Sequence, residues 1–183
     1  MTGNSSVKEN LTAVRERIEE ACLRAGRPLD AVELLAVTKT VEPQDINEAI
    51  ACGVTAIGEN RVQEFLGKRD SLRLDGVKTH LIGHLQTNKV KAIVGKVDMI
   101  QSVDSVHLAQ AISTAATAIS RPTDILIQVN IGREPQKSGV LPEELPMLLE
   151  KVAEMPGIFV RGLMTIPPIL ETETEKRKIF SEM

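Results

Sequence analysis

A lysine amine that sheds its proton attacks carbonyl carbon and forms a Schiff base, and Lys39 stands where that chemistry is favoured. It closes the run Glu33-Leu34-Leu35-Ala36-Val37-Thr38-Lys39, and burial at the end of an apolar strand penalises the ammonium relative to the free amine. Other apolar runs also end on polar or reactive groups: Glu59-Asn60, His84, Ser102 with Asp104, Asn130, and Met164-Thr165. Position alone leaves Lys39 two readings, a nucleophile or a structural lysine that lays its stem along apolar surface or pairs with Glu59. Two histidines, His80 and His84, invite a metal. Four residues of strand separate them by about 13 Å at roughly 3.3 Å per residue, too far to share one ion, and no metal site is assigned.

Whatever these groups do, the composition limits the class of partner. The 183 residues are 42% hydrophobic with a formal charge of −3, enough apolar material for one sizeable core and no excess charge calling for a polyanion. Three Phe and no Trp or Tyr leave almost nothing for stacking on bases, so nucleic acid is not an expected partner. Met1 to Ser6 carry neither a basic region nor an apolar run, and no later stretch approaches the roughly 20 apolar residues of a membrane span. A cytoplasmic protein with no membrane partner is expected. Cys22 and Cys52 lie inside helical patterns without CxxC spacing and read as reduced structural thiols. Lys89, Lys91 and Lys96 read as one wet helix face.

The elements that position these groups alternate regularly. Val7, Leu11, Val14, Ile18, Cys22 and Ala25 recur every three or four residues behind Ser5 or Ser6 as cap, and Gly26 and Pro28 close the pattern, which predicts an amphipathic helix. The run ending on Lys39 is a strand, followed by a helix that Pro43 opens and Gly53 stops. The same grammar repeats: a strand at 54–58 before a helix near 60–72, a strand at 79–83 before a helix near 87–95, and a strand at 97–102 before a helix from Ser105 to about Ala118. A strand at 125–130 precedes a helix that Pro142 opens, and the run 159–166 precedes a charged helix, six units in all. Near-continuous apolar strands alternating with helices predict a parallel sheet covered by helices. A TIM barrel gathers every strand end at one mouth, whereas a doubly wound sheet uses its switch point and a Gly-rich turn after the first strand, which does not occur here. The expected fold is therefore α/β, a TIM (β/α)8-type barrel preceded by an N-terminal helix. The helical pattern from Glu173 reaches Phe180 and Met183 with no stop signal. A barrel cut after its sixth βα unit, with its C-terminal portion missing and two sheet edges open, is the corresponding expectation.

Read together, the strand ends carry a resemblance. Ala36-Val37-Thr38-Lys39-Thr40, Ile57-Gly58-Glu59-Asn60-Arg61-Val62-Gln63-Glu64, Ile82-Gly83-His84-Leu85-Gln86-Thr87-Asn88-Lys89, Gln101-Ser102-Val103-Asp104-Ser105, Val129-Asn130-Ile131, Lys137-Ser138-Gly139 and Arg161-Gly162-Leu163-Met164-Thr165-Ile166 stand in this order. The set resembles the pyridoxal phosphate homeostasis protein family, relatives of the barrel domain of alanine racemase, over about residues 30 to 168. The resemblance implies one barrel domain over 1–183 that binds pyridoxal 5′-phosphate as a Schiff base on Lys39. It places Asn60 beside the cofactor and Met164 in the lining of its pocket. Asn60 as the N-cap of the next helix and Met164 as plain core remain the competing readings. Lys137 belongs to the family-like Lys-Ser-Gly segment and offers a second amine for transient contact, against the reading of a solvated loop lysine.

The function so implied is intracellular vitamin B6 homeostasis, with the cofactor held and no dedicated catalysis. Cofactor-dependent apoenzymes are the implied recipients, and the protein is expected to be a monomer or weak dimer. A racemase needs a second acid or base on the far face of the ring; no Tyr occurs to serve, and His84 is the available general acid. The alternatives are a racemase-like enzyme, an aldolase-like barrel whose Lys39 takes a carbonyl substrate directly, and a scaffold with a structural Lys39. In the family the phosphate is held by donors beyond the sixth unit, so the resemblance leaves that part of the affinity outside these residues.

Overall fold

The protein, seen in a computed structural model, is described here over residues 6–183. Its helix α1 (Val7–Arg24) starts at Ser6, whose hydroxyl accepts from the Glu9 N–H while the Glu9 carboxylate accepts from the Ser6 N–H. This reciprocal capping box satisfies two of the donors a helix start leaves over. The other cap candidate, Ser5, lies outside the described residues.

Two compact units divide the chain: one holds residues up to Glu59 with Gln63–Thr79, the other Asn60–Val62 with His80–Met183. In the first, β1 (Ala36–Val37) pairs in parallel with β2 (Ala56–Glu59), and α2 (Pro43–Ala51) joins them with Pro43 in its first turn. Arg15 of α1 donates to the carbonyls of Cys52 (3.1 Å) and Gly53 (2.6 Å), closing the C-terminal end of α2, where a guanidinium also complements the helix dipole. Ile46, Val54 and Ile57 form the buried centre, with Leu11, Ala36 and Val77 packed around them. Next come α3 (Val62–Lys68) and β3 (Lys78–Leu81), whose first residue donates its N–H to the Thr55 carbonyl at 2.9 Å.

In the second unit β3 pairs with β4 (Met99–Val103), β4 with β5 (Thr123–Val129), and β5 with β6 (Ile158–Thr165), all parallel. The connections are the short α4 (Val90–Ile93), the Ser105-capped α5 (Val106–Ala118) and α6 (Leu145–Ala153). Helix α7 (Glu173–Ser181) follows β6. Ile100, Val103, Ile112, Ile125 and Ile127 are fully buried, as a sheet covered by helices requires.

Each strand's neighbour is the one before it in the chain. A doubly wound sheet reverses its strand order at a switch point, so the sequential order is the connectivity of a TIM-type barrel. Among the described residues no helix is long and apolar enough to cross a membrane. The first strand is shorter than its sequence predicts. Only Ala36 and Val37 are strand; Glu33 instead turns to Lys78, 3.0 Å away, and Lys39 lies in the turn beyond β1, exposed.

Candidate functional site

Lys39 therefore owes nothing to burial. Its neighbours, however, are tightly held. The next residue, Thr40, has φ +59°, a left-handed conformation that a β-branched residue adopts only at a cost of about 1–3 kcal/mol and only where its surroundings over-determine it. Those surroundings are visible. Thr40 donates its N–H to Glu64 Oε1 at 2.5 Å, the Thr38 hydroxyl donates to Glu59 Oε1, and Lys68 Nζ donates to the Thr38 carbonyl at 2.8 Å.

The cation that pairs with Glu59 is Lys68, not Lys39: Lys68 Nζ lies 2.6 Å from Glu59 Oε1 and 3.2 Å from Glu64 Oε1. Its side chain is 9% exposed and that of Glu59 is 2%. Hydrogen bonds to each partner offset part of the cost of taking both charges out of water. Sequence reasoning passed over Lys68 as part of the helix after β2. The signal was present in the Glu64 to Lys68 spacing of four, which puts both on one helix face, and in Glu59 at the end of an apolar strand.

In the second unit the polar strand ends divide into those already satisfied and those still open. Ser102 donates to the Gly83 carbonyl at 2.7 Å, and Asp104 accepts from the Gly139 N–H at 3.3 Å. Buried Asn130 donates to the Glu134 carbonyl at 2.9 Å and accepts from its N–H at 3.1 Å. Thr165 donates to the Val129 carbonyl at 2.8 Å. These residues staple loops. Asn60 does something else: its Oδ1 is buried without a hydrogen-bond partner, so it does not cap α3, and a buried acceptor left unmatched costs about 1–3 kcal/mol.

Asn60 opens onto a cavity of about 210 Å³, lined also by Gly83, His84, Gln128, Lys137 and Ser138. Gly83 makes this close approach of backbone possible, because a Cβ there would lie 2.7 Å from Asn60 Cα and 2.8 Å from its carbonyl carbon. His84 is exposed at this cavity. His80, within β3, is instead buried, with Nδ1 2.7 Å from Gln101 Nε2. Met164 is half-buried on β6, in register with Gln128, which puts the two side chains on one face of the sheet. Lys137 is not a freely solvated loop lysine. Its ammonium sits 2.5 Å from Glu134 Oε2 and donates to the Pro167 carbonyl at 3.1 Å.

A larger cavity, about 560 Å³, opens in the first unit at the other ends of the strands, by Val54, Thr55 and Lys78. Its cations are committed within the fold, Arg15 to the Cys52 and Gly53 carbonyls and Lys78 to Glu33. The chemistry of parallel α/β proteins lies at the carboxyl ends of strands, and the smaller cavity is on that side.

The family model described as the N-terminal domain of alanine racemase matches residues 9–182. A pyridoxal phosphate homeostasis protein of Aquifex aeolicus is 47% identical over 175 residues, covering 96% of this chain and 77% of that protein. The crystal structure of an unknown protein from Bifidobacterium adolescentis matches 96% of this chain and 75% of its own, with a TM-score of 0.91 and 37% identity. PipY of Synechococcus elongatus, in its structure with pyridoxal phosphate bound, matches 92% of this chain and 77% of its own, with a TM-score of 0.78 and 35% identity.

Proposed function

The chain belongs to the pyridoxal phosphate homeostasis protein family, and from that premise we propose that it binds pyridoxal 5′-phosphate as a Schiff base on Lys39 and serves vitamin B6 homeostasis by holding and releasing it. The carrying observation is the presentation of Lys39: an exposed amine on a braced, left-handed turn directly after the first strand. Strain of that kind persists where the surrounding structure maintains it, and it clusters at functional sites.

Each assigned residue suits a part of the cofactor. An accessible amine suits its aldehyde, the unmatched Asn60 Oδ1 offers a buried acceptor for a polar group, and Gln128 and Ser138 add further polar atoms to the cavity. Asn60 and Met164 are the other residues we assign to its binding, Asn60 by hydrogen bonding and Met164 by apolar contact from β6. When bound, the cofactor supplies an electron sink for carbanion chemistry. Racemisation would also need a second acid or base, and His84, exposed at the cavity, is a group that could take that role. Holding and release need none, so we assign no dedicated catalytic activity, and cofactor-requiring apoenzymes are the recipients we infer.

The test is borohydride reduction of protein incubated with pyridoxal phosphate, followed by peptide mapping. A phosphopyridoxyl group on the Lys39 peptide is the expected outcome. An unmodified Lys39 peptide from folded, cofactor-treated protein refutes the reading.

A further inference from the structure

We infer that Lys68 is a positioning residue for Lys39, and that with Glu59 and Glu64 it holds the turn that presents the Lys39 amine. The inference rests on the assignment of Lys39 as the cofactor-bearing amine. It starts from a buried ammonium with three oxygen partners: Glu59 Oε1 at 2.6 Å, Glu64 Oε1 at 3.2 Å and the Thr38 carbonyl at 2.8 Å. Two of those partners reach onward to the residues on either side of Lys39. Glu59 Oε1 accepts the Thr38 hydroxyl, and Glu64 Oε1 accepts the Thr40 N–H. The peptide units before and after Lys39 are thus tied to the same ammonium, one directly and one through Glu64.

Stability alone gives a poor account of this arrangement. Exchanging a buried ion pair for apolar side chains of similar volume is often neutral or stabilising, so the pair by itself does not explain why a lysine is buried here. Glu59 Oε2, moreover, is buried with no partner, a polar atom the fold leaves unsatisfied. What the ammonium does supply is a fixed anchor for a backbone that would otherwise leave the left-handed region at Thr40. Lys39 itself contributes no contact to the brace, so its amine stays available while its main chain is immobilised. Reactions between positioned groups respond steeply to such placement, an error of 1 Å costing about a hundredfold.

The experiment follows the absorbance that develops as pyridoxal phosphate reacts with the full chain, as a function of cofactor concentration. Lys68→Met leaves Glu59 buried without its cation and is liable to unfold. The double variant Glu59→Gln with Lys68→Met removes both charges together, and it is compared with the unchanged chain after circular dichroism and melting have shown it to be folded. The limiting rate of Schiff base formation on Lys39 is expected to fall at least about tenfold. The half-saturating concentration should move by no more than about twofold, because no group assigned to the cofactor's ring or phosphate is altered. A folded double variant that reacts at the unchanged rate overturns the inference, and so does one whose only change is a weaker half-saturation. Failure of the unchanged chain to form any Lys39 adduct overturns the cofactor assignment itself and this inference with it. That outcome is told apart because it appears before any substitution is made.

Discussion

Gly83→Ala and Gly67→Ala make the same chemical change with opposite expected effects. At Gly83 a new methyl would lie 2.7 Å from Asn60 Cα and 2.8 Å from its carbonyl carbon, and closer still to the carbonyl oxygen. Non-bonded carbons rest about 3.5–4.0 Å apart, so the Asn60 backbone would have to retreat by roughly 1 Å. Overpacking costs about 1–3 kcal/mol when side chains absorb it; here main chain must move, which points to the upper end, about 3 kcal/mol. For a chain of this size about 2–4 °C of melting temperature accompanies each kcal/mol, giving a fall of roughly 6–12 °C. Gly67, in α3, has nothing within 4 Å of the equivalent methyl. There the gain in helix propensity, about 0.5–1 kcal/mol, raises melting by a few degrees. Differential scanning calorimetry of the two variants beside the unchanged chain measures both. Gly83→Ala melting within about 2 °C of the unchanged protein would refute the claim that this glycine holds two backbones together. The displacement of Asn60 should also weaken cofactor loading, which Gly67→Ala should leave intact.

Two further outcomes follow from hydrogen bonds in the loop after β5 and at the start of α7, where Thr172 and Glu175 form a capping box. Asn130→Ala strips the Glu134 N–H and carbonyl of their side-chain partner, costing about 1–3 kcal/mol, and limited proteolysis should show faster cleavage within 131–139 than in the unchanged chain. The Glu175 carboxyl at the start of α7 is held below its ordinary value by the Thr172 hydroxyl and the Thr172 N–H. A depressed value means that its support for the capping box is complete above the ordinary glutamate range and is lost as pH falls through the lower, folded value. The protection of the Thr172 and Glu175 amides against exchange, measured by NMR relative to the intrinsic rate at each pH, should therefore fall on acidification in the unchanged chain and stay flat with pH in Glu175→Gln.

Much of this architecture is legible in the chain itself, because its signals are local. Ser6 and Ser105 cap helices, Pro43 opens one, and each apolar run is followed by a helical period. The polar strand ends were equally legible as a set. What they do was not, since hydrogen-bond partners come from segments far apart in sequence. Ser102 and Asp104 look as available as Asn60 until Gly83 and Gly139 are found to occupy them. Lys39 shows the same limit from the other side. Apolar neighbours predicted a longer strand and a buried amine, but Glu33 pairs with Lys78 and the strand is only Ala36–Val37. The burial expected of Lys39 belongs to Lys68, whose surroundings are assembled from a strand, a turn and a helix.

The sequential order of the strands also shapes how the protein is made. Ala36 meets Ile57, Ile100 meets Ile125, and Thr123 meets Ile158, each partner a single helical excursion away along the chain. Among the described residues each strand finds a neighbour one excursion away, which keeps loop-closure costs below those of a sheet that pairs segments more distant in the chain. On a ribosome adding about 5–20 residues per second, each strand emerges onto one already in place. The growing edge of the sheet is then extended by the chain's own next strand before another molecule's strand can take that position.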